Sequence, residues 1–176
     1  MSNGIRNRLF VLLTLAITQY CNADSISEPS FERPGTRVAA PAFSLENLEG
    51  KHVHLEEFKD NVIMLNFWAT WCVPCREEMP SMQALWRSYQ DKGFIVVAIA
   101  SDRGNRNGVN NFVMSLALDF PVLLDPTGNT RNTYEVTGLP MTYFIGKDGK
   151  FLGRVIGARD WQSDSSIELV ESLLHF

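Results

Sequence analysis

A chain of 176 residues, 45% hydrophobic and 20% charged, is long enough to bury one domain-sized core, too short to divide comfortably into two, and too apolar to stay disordered. Its formal charge of −4 includes no basic run and no basic–aromatic interleaving, which leaves nucleic-acid binding without support. The Arg103, Arg106 and Asn-rich patch reads as a solvated loop.

Arg6 and Arg8 precede the apolar run Leu9 to Ile17, followed by the polar Thr18 to Asn22 and then Ala23. This is the pattern of a secretory signal peptide over residues 1–23; the run falls far short of the ~20 apolar residues that span a membrane. Cys21-Asn22-Ala23 fits a cleavage site, and cleavage there would leave Cys72 and Cys75 as the mature chain's cysteines. Two alternatives stay open: an uncleaved membrane anchor, and lipid attachment at Cys21, although Thr18, Gln19 and Tyr20 lack the aliphatic-then-small approach such sites use. Residues 24–40 are rich in Ser, Glu, Pro and Arg without apolar periodicity and read as a linker. One domain is expected over residues 41–176.

Within it, order is expected from Pro41-Ala42-Phe43-Ser44-Leu45. After a turn at Glu49-Gly50, the alternation His52-Val53-His54-Leu55 predicts a short edge strand with both histidines on its outer face. As metal ligands they lack a third partner. Val62 to Trp68 is an almost continuous apolar run, which suits a central strand covered on both faces. A helix is predicted from about Pro74 to Gln90, with Met82, Leu85, Trp86 and Tyr89 on one face and a bend at Pro80. Phe94 to Ala100 is a second buried strand, and Val109, Phe112, Val113 and Leu116 recur at helical spacing beyond it. A strand at Phe120 to Leu124, a turn at Asp125 to Gly128 and a short helix at Asn129 to Tyr134 follow. Met141 to Ile145 and Phe151 to Ile156 flank Asp148-Gly149, a hairpin signal. Ser165 with Glu168 predicts a capping box for a last helix with the stripe Ile167, Val170 and Leu174. The succession predicts a three-layer α/β domain on a mixed sheet, its first strands parallel and its hairpin antiparallel.

The chemistry concentrates at the turn between Trp68 and the first helix, where Cys72 and Cys75 stand two residues apart. A zinc site would need two more ligands, and no second cysteine pair supplies them, so the pair reads as a redox dithiol. Cys72 falls at the helix start, where free backbone N–H groups and the positive end of the dipole favour a thiolate. Pro74 needs no N–H there. Cys75, one turn along, is more buried by geometry. Cys72 is therefore expected to attack and Cys75 to resolve. Glu78 lies three residues farther on the same helical face, where a partly buried carboxylate with a raised pKa could take the Cys75 proton. On the residues alone, an ordinary first-turn helix acid explains Glu78 equally well.

Phe67-Trp68-Ala69-x-Trp71-Cys72-x-Pro74-Cys75, with Pro80 five residues later, resembles the active-site segment of the thioredoxin superfamily. Val136 to Phe144 is similar to that family's cis-proline segment. The resemblance makes Pro140 the residue facing the cysteines, and an X-Pro bond is where a cis peptide is cheap. It also makes Trp71, Val73, Pro74 and Leu139 substrate-facing, with Leu139 offering its backbone to an extended substrate. Pro41-x-Phe43-x-Leu45, Gly50-Lys51, Met79-Pro80 and the extra helix around Val109 to Leu118 resemble the exported TlpA/ResA-like branch. That branch implies a thioredoxin fold with an N-terminal extension and a helix insert. Ordinary thioredoxin carries an aspartate where this chain has Asn66, which cannot move the proton, whereas the branch has a glutamate at the place of Glu78. Val73 departs from thioredoxin's glycine, so no reduction potential carries over.

What the resemblance implies is an extracytoplasmic, periplasmic thiol-disulfide oxidoreductase, a monomer without cofactor or metal, that reduces disulfides of client proteins. Cytochrome c maturation and copper-oxidase assembly are the branch's settings, and a membrane electron donor recharges its members. Three other functions are weighed against this. A peroxiredoxin-like peroxidase needs Pro-x-x-x-Thr-x-x-Cys, and no proline precedes Cys72 at that distance. A copper-binding chaperone would draw on His52, His54 or His175, with a wider cysteine spacing than this one. A static Cys72–Cys75 disulfide would close too short a loop to stabilise much.

Overall fold

The computed structural model describes residues 30–175. Among them, eight strands form one sheet: β1 (Phe31–Glu32), β2 (Ser44–Asn47), β3 (His52–His54), β4 (Val62–Trp68), β5 (Phe94–Ala100), β6 (Val122–Leu124), β7 (Met141–Ile145) and β8 (Phe151–Ile156). Their order across the sheet is β1-β8-β7-β4-β5-β6-β2-β3. The helices are α1 (Val73–Tyr89), α2 (Arg106–Ser115), α3 (Asn129–Thr133) and α4 (Asp164–Leu174).

Every residue of β4 is buried, and its side chains alternate between two cores as strand geometry requires. Val62, Met64 and Trp68 join a core with Met79, Met82 and Leu85 of α1, Val109 and Val113 of α2, and Val170 and Leu173 of α4. Ile63, Leu65 and Phe67 join a second core with Phe43, Tyr134, Tyr143 and a short 3-10 turn over Leu55–Phe58. This double burial explains why β4 reads as an unbroken apolar run, each large side chain contributing about 1.5–3 kcal/mol over an exposed one. β4 runs parallel to β5 and antiparallel to β7, and β5 runs parallel to β6, so the sheet is mixed as expected.

β4, β5, β7 and β8 occupy the predicted residues, and α1 begins one residue before the expected Pro74. Pro80 lies inside α1 on its exposed side, where water can stand in for the missing N–H. Two expectations are corrected. The segment read as linker enters the sheet: Phe31 and Glu32 pair with Val155 and Arg154 of β8, Phe31 meets Phe144 edge-on at 5.7 Å, and Ala39 bridges to Lys150. A two-residue strand has no periodicity to read, and its partner lies 122 residues away. The remainder of that segment, residues 24–29, and the stretch 1–23 read as a leader lie outside the described residues. The second correction concerns α4, whose N-cap is Ser163, not Ser165: the Ser163 hydroxyl accepts the Ser166 N–H at 3.3 Å. Ser165 instead accepts a hydrogen bond from the Arg159 guanidinium at 2.9 Å. Three closely spaced serines offered more than one capping register, and the choice among them is made by a contact from outside the helix.

Candidate redox site

After Trp68 the chain leaves the sheet, and Cys72 becomes the N-cap of α1 with Pro74 as the second helical residue. The Cys75 N–H donates to Cys72 Sγ at 3.3 Å, so a backbone donor is aimed at the sulfur where a thiolate would form. The two cysteines are joined in a disulfide, their Cα atoms 5.3 Å apart. Their surroundings differ. Cys72 keeps 6% exposure between Trp71 and Val73, which are 65% and 58% exposed, whereas Cys75 has none.

The turn is held from the end of β5. The Ser101 N–H donates to the Trp68 carbonyl at 2.8 Å. Asp102, itself buried, accepts the Thr70 N–H at 3.0 Å and the Thr70 hydroxyl. Two residues before Cys72 the backbone is thus tied to a carboxylate just past the neighbouring strand.

Beneath Cys75, Glu78 is 3% exposed and surrounded by donors. Asn66 Nδ2 donates to its Oε1 at 2.9 Å, and the Arg159 N–H and Trp161 Nε1–H donate to its Oε2 at 3.2 and 3.1 Å. Burial pushes the carboxyl up from an ordinary 4.5 to about 7, against the downward pull of these three hydrogen bonds. An acid in that range can take or give a proton at neutral pH. Asn66 Nδ2 also donates to Thr142 Oγ1 at 3.0 Å, which links β4, α1, β7 and the loop after β8 through one buried polar network.

The Leu139–Pro140 bond is cis. Pairing of Phe67 with Met141 sets Pro140 at the end of the sheet from which the cysteine turn departs, and its carbonyl accepts the Gly157 N–H at 2.9 Å. Leu139, half-buried, packs against both cores. Cys72, Cys75, Glu78 and the Leu139–Pro140 segment therefore converge on one end of the sheet, with Trp71, Val73 and Pro74 exposed around the disulfide. The histidines do not join them: His52 and His54 are exposed on β3, four strands from β4. Among the described residues no group of three or more His, Cys, Asp or Glu is arranged to hold a metal, and no helix is long and apolar enough to cross a membrane.

Sequence reasoning missed Asp102, Thr142, Arg159 and Trp161. Trp161 offered the one available signal, a large aromatic in the otherwise polar stretch Arg159-Asp160-Trp161-Gln162-Ser163. The others act through contacts spanning 32 to 81 residues.

The AhpC/TSA family pattern matches residues 36–152. A thiol-disulfide oxidoreductase ResA from Bacillus thuringiensis subsp. konkukian is 42% identical over 118 residues, 67% of this chain and 68% of that protein. ResA from Bacillus subtilis is 33% identical over 156 residues, 89% of this chain and 76% of its own length. Among solved structures, a Chlorobium tepidum protein described as a candidate thiol:disulfide interchange protein DsbE superposes with a TM-score of 0.73 at 32% identity, covering 82% of this chain and 99% of that one.

Proposed function

For a chain that belongs to the AhpC/TSA family and, among its thioredoxin-like members, to the thiol-disulfide oxidoreductases, we propose that the protein reduces client-protein disulfides outside the cytoplasm. In this reading the Cys72 thiolate attacks one sulfur of a client disulfide. A Cys72–client bond forms and the first client thiolate leaves. Cys75 then passes its proton to Glu78 and attacks the Cys72 sulfur. The Cys72–Cys75 bond forms, the second client thiolate leaves, and the proton departs from Glu78 to solvent. Two electrons have moved from the pair to the client, so the pair must be recharged by a dithiol donor, for which the family resemblance suggests a membrane protein.

The observation that carries this reading is the asymmetry of the pair. One sulfur lies at a rim of exposed Trp71 and Val73; the other is wholly buried above an acid pushed up to about 7. Leu139 and cis-Pro140, at the same end of the sheet, would pair with an extended client segment. The leader at 1–23 supports an extracytoplasmic setting. Cytochrome c maturation or copper-oxidase assembly are settings suggested by the resemblance.

Cys75→Ser expressed in cells should accumulate disulfide-linked partners through Cys72, identifiable by mass spectrometry. Recovery of none, with the reduced protein instead consuming peroxide rapidly, would sink the exchange reading in favour of a peroxidase.

A further inference from the structure

The Glu78 carboxyl has three hydrogen-bond partners, and all three donate. That suits a carboxylate. A neutral carboxylic acid, which the proposed proton transfer produces, also has one O–H of its own to place. The Arg159 backbone N–H and the Trp161 indole N–H have no acceptor to offer it. Asn66 does. Its Nδ2 makes both of its contacts, to Glu78 Oε1 and Thr142 Oγ1, while its Oδ1 is buried without a partner. Rotating the amide by 180° exchanges two donors for two lone pairs in the same place. Oδ1 would then accept the Glu78 O–H on one side and the Thr142 hydroxyl on the other, since a hydroxyl can donate as readily as it accepts.

Resting on Glu78 as proton acceptor, we infer that Asn66 is a positioning residue that serves both protonation states of Glu78 by turning its side-chain amide. Asn66 moves no proton itself. It supplies a donor to the carboxylate and an acceptor to the acid, so that Glu78 meets a partner of the right kind in either form, while the end of the Asn66 amide turned away from Glu78 is the one left unpaired. The unpaired Oδ1 is then the acceptor held in reserve. The orphan has no other use in the network, and an apolar residue on β4 would pack there without it.

The remaining groups around Glu78 do not substitute for Asn66. From α1, Cys75 and Glu77 approach it; from the loop after β8, Arg159 and Asp160 do. Glu77, Arg159 and Asp160, with Pro74, Ser81 and Ala158, line a cleft of about 270 Å³ that reaches Glu78. The Arg159 side chain is directed to Ser165 and Ser166, while its backbone N–H binds Glu78. The cleft is where the proton would leave.

The test is NMR of the full-length oxidised chain with labelled Asn side-chain amides and Glu carboxyls. The Asn66 NH₂ pair should pass through a single transition at the midpoint of the Glu78 carboxyl and lose its hydrogen-bonded shifts on the acid side. In Glu78→Gln the neutral side chain should hold Asn66 in the turned orientation, so its NH₂ pair should match that of the acidic wild type at every pH. An Asn66 amide that stays constant through the Glu78 transition, or a Glu78→Gln chain that matches the alkaline wild type, would overturn the inference. In the same samples, Cys72 can be loaded with thionitrobenzoate and release of the coloured thiol by Cys75 followed. Release slowed about 100-fold in Glu78→Gln supports the proton-acceptor role. Unchanged release would reject that role, while the NMR result still decides the amide rotation.

Discussion

The two faces of the sheet bury ionisable groups in the same way and to opposite effect. On the face away from the dithiol, Phe67, Tyr134, Tyr143 and Phe151 form a linked set of ring contacts, with Tyr134 5.4 Å from Phe67 and Tyr143 5.2 Å from Phe151. The Tyr134 hydroxyl donates to the Pro41 carbonyl and the Tyr143 hydroxyl to the Tyr134 carbonyl, each at 2.6 Å. Burial pushes both phenols up, farther from neutrality than they began. They are fixed donors that never change charge. On the dithiol face burial pushes Glu78 up as well, and because a carboxyl starts below neutrality the same force brings it to about 7. Desolvation becomes a functional device only when the group starts on the far side of the working pH.

The largest expected effect separates the faces by chemistry. Cys72→Ser should lower reduction of a peptide disulfide to the uncatalysed background, whereas Tyr134→Phe should leave the rate unchanged. Equal loss in both would mean that exchange depends on general fold integrity and not on the pair.

Next in size is the pH dependence of stability. A carboxyl that titrates near 4.5 unfolded and about 7 folded binds its proton more tightly in the native state. Its contribution is fully present below about 4.5 and is lost as pH rises to 7, a change of about 3 kcal/mol. Denaturant titrations of the oxidised protein should show that decline in the wild type and not in Glu78→Gln; parallel curves would contradict it.

Trp161→Phe removes a donor to the carboxylate and should cost about 2 kcal/mol above pH 7, with a smaller loss below pH 5 where the acid is neutral. It should also move the Glu78 titration upward. Smallest is the stability cost of Tyr134→Phe, about 1 kcal/mol and constant from about pH 5 to 9, because the hydrogen bond it deletes never changes protonation state. A pH-dependent loss there would erase the distinction between the faces.

The dithiol was legible because its signals are local: an apolar strand, two cysteines, a proline at the helix start and an acid one turn along. β4, β5 and β7 were legible for the same reason, their burial on two faces leaving largely unbroken apolar runs, and β8 by the Asp148-Gly149 turn that precedes it. β1 was not, since two residues show no period and Phe31 is placed by its packing on Phe144. The cap of α4 was displaced because Ser163, Ser165 and Ser166 all have capping chemistry, and Arg159 engages Ser165. Glu78 itself was visible, but sequence left it balanced between helix acid and proton acceptor. What tips the balance is Asn66, Arg159 and Trp161 closing over it, contacts made across 12, 81 and 83 residues. In the sequence Asn66 reads only as a lost aspartate; its partners on β7 and α1 show it to be a shared node.

The central claim is that burial beside the dithiol sets an acid to exchange a proton at neutral pH. A carboxyl ¹³C titration of Glu78 in the oxidised protein tests it most directly. The expected midpoint is about 7, and a midpoint at about 4 to 5, in the ordinary carboxylate range, would contradict it.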